Sequence, residues 1–120
     1  MSTINKEIFY EFRPWGSYYN IVDSSECKVK KLIVNPRSRL SYQYHKLRDE
    51  KWIVVKGIAT VTIDDVESEI GYSELITIPR MSKHRLENKN DEELVIIEIQ
   101  TGDYFGEDDI VRIEDDYGRI

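Results

Sequence analysis

Short runs of alternating apolar and polar residues, each ended by a turn residue, recur along most of this 120-residue chain and limit what it can fold into. Side chains on a strand point alternately to opposite faces, so a period of two buries one face and wets the other. A helix needs a period near 3.6. The pattern predicts strands at Ser17–Val22, Cys27–Val34, Leu40–His45, Trp52–Lys56, Ala59–Ile63, Val66–Ile70, Leu75–Ile78, His84–Asn88 and Leu94–Gln100. Pro36, Gly57, Gly71, Pro79 and Asn88-Lys89-Asn90 interrupt it, and Asp64-Asp65 reads as the turn of a tight hairpin. Only the first few residues and the stretch Asp108–Ile113 have a helix-compatible pattern. Many short antiparallel strands at even spacing describe a sandwich or barrel, the double-stranded jelly roll among them. The predicted core is Trp52, Val54, Val61, Ile63, Ile76, Ile78 and Ile96.

The length allows one domain, residues 1–120. An apolar fraction of 40% and a charged fraction of 33% are those of a soluble globular protein. No run approaches the ~18 apolar residues of a membrane helix. Met1–Phe9 lacks a charged-then-apolar leader pattern. One cysteine, Cys27, cannot build a disulfide framework. These features predict a cytoplasmic protein with no membrane contact, and Cys27 is expected to be a small buried hydrophobe. The net charge of −6 is uneven, since residues 101–120 carry −5 of it. Such a balance argues against nonspecific nucleic-acid binding, which needs a basic face. A phosphorylated small molecule needs only local cations, and Arg37, Arg39, Lys46, Arg48 and Lys51 cluster in one stretch.

Two segments carry chemistry. In Leu40-Ser-Tyr-Gln-Tyr-His-Lys-Leu-Arg-Asp-Glu-Lys-Trp52, strand alternation puts Gln43, His45 and Leu47 on one face, with Glu50 close behind. In Ile78-Pro-Arg-Met-Ser-Lys-His84-Arg-Leu-Glu-Asn88, a histidine follows a proline turn. Two imidazoles and a carboxylate suit Zn²⁺, Mn²⁺, Co²⁺, Ni²⁺ or Fe²⁺. The chain has only 2 histidines, and isolated ones in a β protein are more often surface or hydrogen-bonded residues than ligands.

These segments resemble the two cupin motifs, and four stretches narrow the resemblance to type II mannose-6-phosphate isomerases, the C-terminal part of bifunctional mannose-phosphate enzymes. They are Arg13-Pro-Trp-Gly-Ser-Tyr18, Leu40-Ser-Tyr-Gln-Tyr-His45 with Arg48, Glu50 and Trp52, Ile78-Pro79 with Lys83–Asn88, and the closing Glu98–Arg112 with Asp116-Tyr-Gly-Arg119. The resemblance covers about residues 11–119 and implies a single cupin barrel without the nucleotidyltransferase domain. It departs from the family at Leu47, where a second histidine is expected, at Lys51, and at Met81 in place of a turn glycine. It implies a divalent metal on His45, Glu50 and His84. The missing imidazole at Leu47 is expected to weaken that site, with Gln43 as substitute oxygen donor.

The implied reaction interconverts mannose 6-phosphate and fructose 6-phosphate by moving a proton between C2 and C1. It needs a polarised carbonyl and a base. Glu98 and Lys83 are base candidates, and Glu98 shares a strand face with Gln100, so burial would raise its pKa. Arg48 is a candidate oxyanion contact, and Arg85, Gln100 and Arg39 are candidate substrate contacts. Glu107, Asp108 and Asp109 read as a helix start. A non-catalytic cupin that binds a sugar phosphate or nucleotide-sugar is the competing reading. A homodimer is expected, with Ile8–Phe12 as a strand able to pair across a two-fold axis.

Overall fold

A computed structural model describes residues 9–120, and among these there are strands and turns but no helix. None of the described residues therefore lies in a helix long and apolar enough to cross a membrane. The strands are β1 (Glu11–Arg13), β2 (Gly16–Asp23), β3 (Cys27–Val34), β4 (Ser38–Arg39), β5 (Tyr42–Tyr44), β6 (Arg48–Lys56), β7 (Ala59–Ile63), β8 (Val66–Ile70), β9 (Leu75–Ile78), β10 (His84–Asn88), β11 (Leu94–Gly102) and β12 (Val111–Glu114). One sheet runs β1-β2-β3-β11-β6-β9 and the other β12-β5-β10-β7-β8, with β4 added to β10. Every pairing is antiparallel.

The two sheets share one apolar core. Leu32, Val34, Trp52, Val54, Leu94 and Ile96 come from the first sheet, and Val61, Ile70 and Leu86 from the second. Of the expected core, Trp52, Val54, Val61, Ile78 and Ile96 are buried, while Ile63 and Ile76 pack against it partly buried. The Asp64-Asp65 hairpin forms as expected. Both residues have positive φ, 46° and 69°, the mirror-image turn whose twist matches the flanking strands.

Four expectations change. Leu40–His45 is not one strand: β4 and β5 are separated where the Leu40 N–H donates to Leu86 O at 3.0 Å. Asp108–Ile113 is not helical: β12 starts at Val111 and pairs with β5. The N-terminal strand starts at Glu11 and pairs with β2 of its own chain. Ile8 and the possible helix in the first few residues lie outside the described residues. Cys27 is half-buried rather than buried, because Lys28, Lys30, Leu32 and Val34 take the inward face of β3.

Burial gives a direct test of the core. Ile96→Ala should cost about 3 kcal/mol through lost burial and the cavity left behind. Val66→Ala, at a side chain 69% exposed, should stay within about 0.5 kcal/mol. Urea unfolding of both variants measures this, and equal small losses would mean that the sheets do not share this core.

Candidate active site

The inward face of the first sheet changes character along the barrel. Cross-strand rows Val34–Leu94 and Leu32–Ile96–Val54 are apolar. The next two, Lys30–Glu98–Trp52 and Lys28–Gln100–Glu50, are mostly polar and fully buried. From the facing sheet β10 contributes His84, paired in register with Gln43 and Ile63, and His45 follows the end of β5. One end of the barrel is thus hydrocarbon and the other a cluster of ionisable groups.

Strict alternation from Gln43 and His45 would bring Leu47 inward. Instead Leu47 is 42% exposed, while Arg48, Glu50 and Trp52 turn in. The parity flips because the chain bends at Lys46-Leu47. Both backbone N–H groups there donate to the Asp109 carboxylate, at 3.0 and 2.9 Å, and Leu47 O accepts the Asp103 N–H at 2.8 Å. These donors hold the Asp109 carboxyl below its usual range although burial works the other way. Gly102 lies against Leu47 O so closely that a Cβ would collide with it. Leu47 therefore does not point inward with Gln43 and His45, which corrects the expected strand face.

The histidine tautomers follow from their partners. His45 Nδ1–H donates to Asp109 O at 2.7 Å and His84 Nδ1–H to Ser82 O at 2.9 Å, since a carbonyl can only accept. Each Nε2 is therefore unprotonated, and that of His45 accepts from Arg48 Nη2 at 3.3 Å. His45 Nε2 lies 3.2 Å from Glu50 Oε2, and His84 Nε2 lies 3.9 Å from Glu50 Oε1. The three ligand atoms are within 4.8 Å of one another, and His84 Nε2 is buried with no hydrogen-bond partner among the described residues. Burial, with Arg48 and His84 nearby, pushes His45 down to about 4, and burial lowers His84 as well. Both rings are neutral at pH 7, the form that binds a metal. Three convergent acceptors, braced on one edge by Arg48, fit a divalent cation.

Glu50 is held by Arg48 Nε at 2.9 Å and by the Trp52 N–H at 3.1 Å. The same N–H reaches Glu98 Oε1 at 3.1 Å, and Gln100 Nε2 donates to Glu98 Oε2 at 2.9 Å. Burial and the nearby Glu50 raise Glu98 to about 7. On the other side, Lys28 and Lys30, both buried, converge on Glu107 Oε1, with Lys28 at 3.1 Å. Against the effect of burial, Lys30 and Lys28 bring Glu107 down to about 2. A cleft of about 80 Å³ opens over His45, Arg48, Glu98 and Lys30, with Gln43 on its wall. Gln43 Oε1 accepts from Ser41 Oγ at 2.8 Å.

The structure does not bring Lys83, Arg85 or Arg39 to this cleft. Each finds oxygen partners elsewhere: Lys83 pairs with Asp65 at 3.4 Å, and Arg39 forks onto Asp116 at 2.6 and 2.8 Å. Arg85 donates to Leu40 O at 3.0 Å. The acidic run starts no helix, and Glu107 and Asp109 serve the site instead. Sequence reasoning missed Lys28 and Lys30, although their parity with Leu32 and Val34 marks the buried face. It also missed Arg13, Arg112 and Arg119 as cleft residues, although all three lie in the opening and closing motifs.

Residues 3–115 match the family described as mannose-6-phosphate isomerase C-terminal. The chain belongs to that family. It is 48% identical over 108 residues to the alginate biosynthesis protein AlgA of Pseudomonas aeruginosa, covering 90% of this chain and 22% of that one. It is 44% identical over 109 residues to the mannose-1-phosphate guanylyltransferase ManC of Salmonella typhimurium, covering 91% and 23%. The chain thus spans between a fifth and a quarter of the length of these relatives. The fold is a cupin barrel. The capsular polysaccharide assembling protein CapF of Staphylococcus aureus superposes with a TM-score of 0.78 at 22% identity, over 92% of this chain and 33% of CapF. A sugar phosphate isomerase from a cupin superfamily of Silicibacter pomeroyi superposes at 0.67 and 19% identity, over 72% and 59%.

Two variants test the bend. Leu47→His should leave Zn²⁺ and Mn²⁺ affinity within about twofold, because the new ring faces solvent. Asp109→Ala should weaken that affinity about tenfold by freeing the bend and the His45 ring. Calorimetric titration reads both. A clear gain in Leu47→His, or no loss in Asp109→Ala, would refute the assignment.

Proposed function

We propose that this chain is the isomerase module of a mannose-phosphate enzyme, interconverting mannose 6-phosphate and fructose 6-phosphate in nucleotide-sugar or polysaccharide biosynthesis. The observation that carries the reading is the convergence of His45, Glu50 and His84 beside Glu98, a buried carboxylate whose pKa lies near neutrality. Family membership and the sugar-phosphate isomerase fold neighbour support it. The competing non-catalytic reading drew its support from Leu47, which lies outside the site.

His45, Glu50 and His84 would hold the divalent ion, with Gln43 as the nearest neutral oxygen donor on the cleft wall. When bound, such an ion supplies Lewis-acid polarisation of the substrate carbonyl. The chain's own residues do the rest. Glu98, raised to about 7 by burial and Glu50, takes the proton from C2 in its ionised form and returns it to C1 of the enediolate, while the O2 hydroxyl proton passes to O1. Gln100 and the Trp52 N–H fix the Glu98 carboxylate so that it keeps one orientation through both transfers. Arg48 sets a permanent positive charge beside the developing oxyanion, and the buried walls limit water at the enediol.

Glu98→Gln keeps the size and removes the base. It should lower kcat on mannose 6-phosphate about 10³-fold while leaving metal affinity and unfolding midpoint near wild type. A coupled assay for fructose 6-phosphate reads it. Near-normal turnover in Glu98→Gln, or an inactive metal-loaded wild type, would overturn the reading. We also propose a homodimer. Phe9 and Phe12 are 74% and 77% exposed beside the edge strand β1, a surface that solvent does not favour. Light scattering at micromolar concentration should give about twice 14.2 kDa. A monomer mass would refute it.

A further inference from the structure

The chain carries a net charge of −6, yet the cleft beside the candidate active site is lined by Arg13, Lys30, Arg48, Arg112 and Arg119 against only Glu98 and Glu107. Most of these cations are already committed. Lys30 shares Glu107 with Lys28, and Arg48 is bound to Glu50. Arg112 is different. Its Nε is buried with no hydrogen-bond partner, and it has no carboxylate within ion-pair distance among the described residues. Burial and the neighbouring Arg119 destabilise its charged form.

Arg119 is fixed from behind by Asp115. Its Nε and Nη2 donate to the two carboxylate oxygens at 2.8 and 2.9 Å, so the remaining edge of the guanidinium is oriented without being used. Arg13 stacks on Tyr18, 5.2 Å from the ring centroid, and donates to its hydroxyl at 3.2 Å. A protein that leaves one half-buried guanidinium without a carboxylate partner, and braces two others around it, leaves an electrostatic deficit that a dianion would fill.

We infer that Arg13, Arg112 and Arg119 form an anion subsite at one end of the cleft that takes the phosphate monoester of the ligand. Planar guanidinium forks match phosphate oxygens two at a time, which a set of lysines would not do. The subsite also separates binding from chemistry: the arginines come from β1, β12 and the C-terminal turn, whereas Glu98 and Glu50 sit on β11 and β6. Holding the phosphate there would orient the sugar with its other end toward Glu98. The identity of the whole ligand rests on the isomerase reading above, but phosphate binding does not.

Titration of inorganic phosphate into the protein by calorimetry tests this without turnover. Arg112→Gln should weaken phosphate binding at least tenfold, and Arg112→Lys should recover part of the loss by restoring charge without the fork. Unchanged phosphate affinity in Arg112→Gln, or no binding to wild type, overturns the subsite. Should Arg112→Gln fail to fold, phenylglyoxal modification of wild type gives the same answer. Phosphate should protect Arg112 and Arg119 but not Arg37, which is exposed and paired with Asp91, and equal labelling with and without phosphate overturns the inference. Phosphate binding lost in Arg112→Gln, in a protein without isomerase turnover, would uphold the subsite and sink only the isomerase reading. Unchanged phosphate affinity in an active isomerase would do the reverse.

Discussion

The fold depends on neutralising charge inside the barrel. β3, β6 and β11 carry the apolar core on their inward faces and then, two residues further along each strand, place Lys28, Lys30, Glu50 and Glu98 on those same faces. Taking an isolated charge out of water costs several kcal/mol even after relaxation, so such a face is stable only if its charges cancel. They do so in three ways. Two lysines share Glu107, Glu50 takes Arg48, and burial beside Glu50 favours the protonated form of Glu98. The partners Glu107 and Asp109 both come from the segment between β11 and β12. That segment is therefore bound to the site through the charges and backbone N–H groups it satisfies, rather than by hydrophobic packing.

The sequence made the sheet readable and left its ends obscure. β3, β7, β8, β9 and β10 lie where the pattern predicts them, and in β3 burial alternates residue by residue as the pattern records. The same alternation correctly grouped Glu98 with Gln100. It failed at Lys46-Leu47, where the flip in parity is imposed by Asp109, a partner some sixty residues away that no local pattern can reveal. β12 was invisible for a related reason. Its short, acidic surroundings have helix-compatible composition, and only pairing with β5 makes it a strand. The cations were misjudged by proximity along the chain. Arg39, Lys83 and Arg85 flank the motifs in sequence but are satisfied by Asp116, Asp65 and Leu40 O. Those that line the cleft come largely from the two ends of the chain.

The parity flip also changes how a departure from the family pattern should be weighed. A leucine in place of a histidine on an inward strand position would delete a ligand and bury an apolar side chain against charges. On the outside of a bend, the same replacement changes a partly exposed side chain and little else. Leu47 is of the second kind, and its backbone, not its side chain, is what the structure uses: its N–H fixes Asp109 and its carbonyl fixes Asp103.

Arg48 shows how far the geometry constrains the chemistry. Its guanidinium lies 2.9 Å from Glu50 Oε2 and 3.3 Å from His45 Nε2, on one edge of three acceptors that would otherwise repel one another. It relieves that repulsion on the His45 side only, because His84 Nε2 has no donor. The imbalance follows from the two carbonyls, Asp109 O and Ser82 O, that claim the Nδ1 protons and leave both Nε2 lone pairs facing Glu50. Rotating either ring would break its Nδ1–H bond to that carbonyl. The protein thus fixes the tautomers with backbone groups that cannot titrate, and a positive charge at the centre is the change that satisfies every acceptor at once.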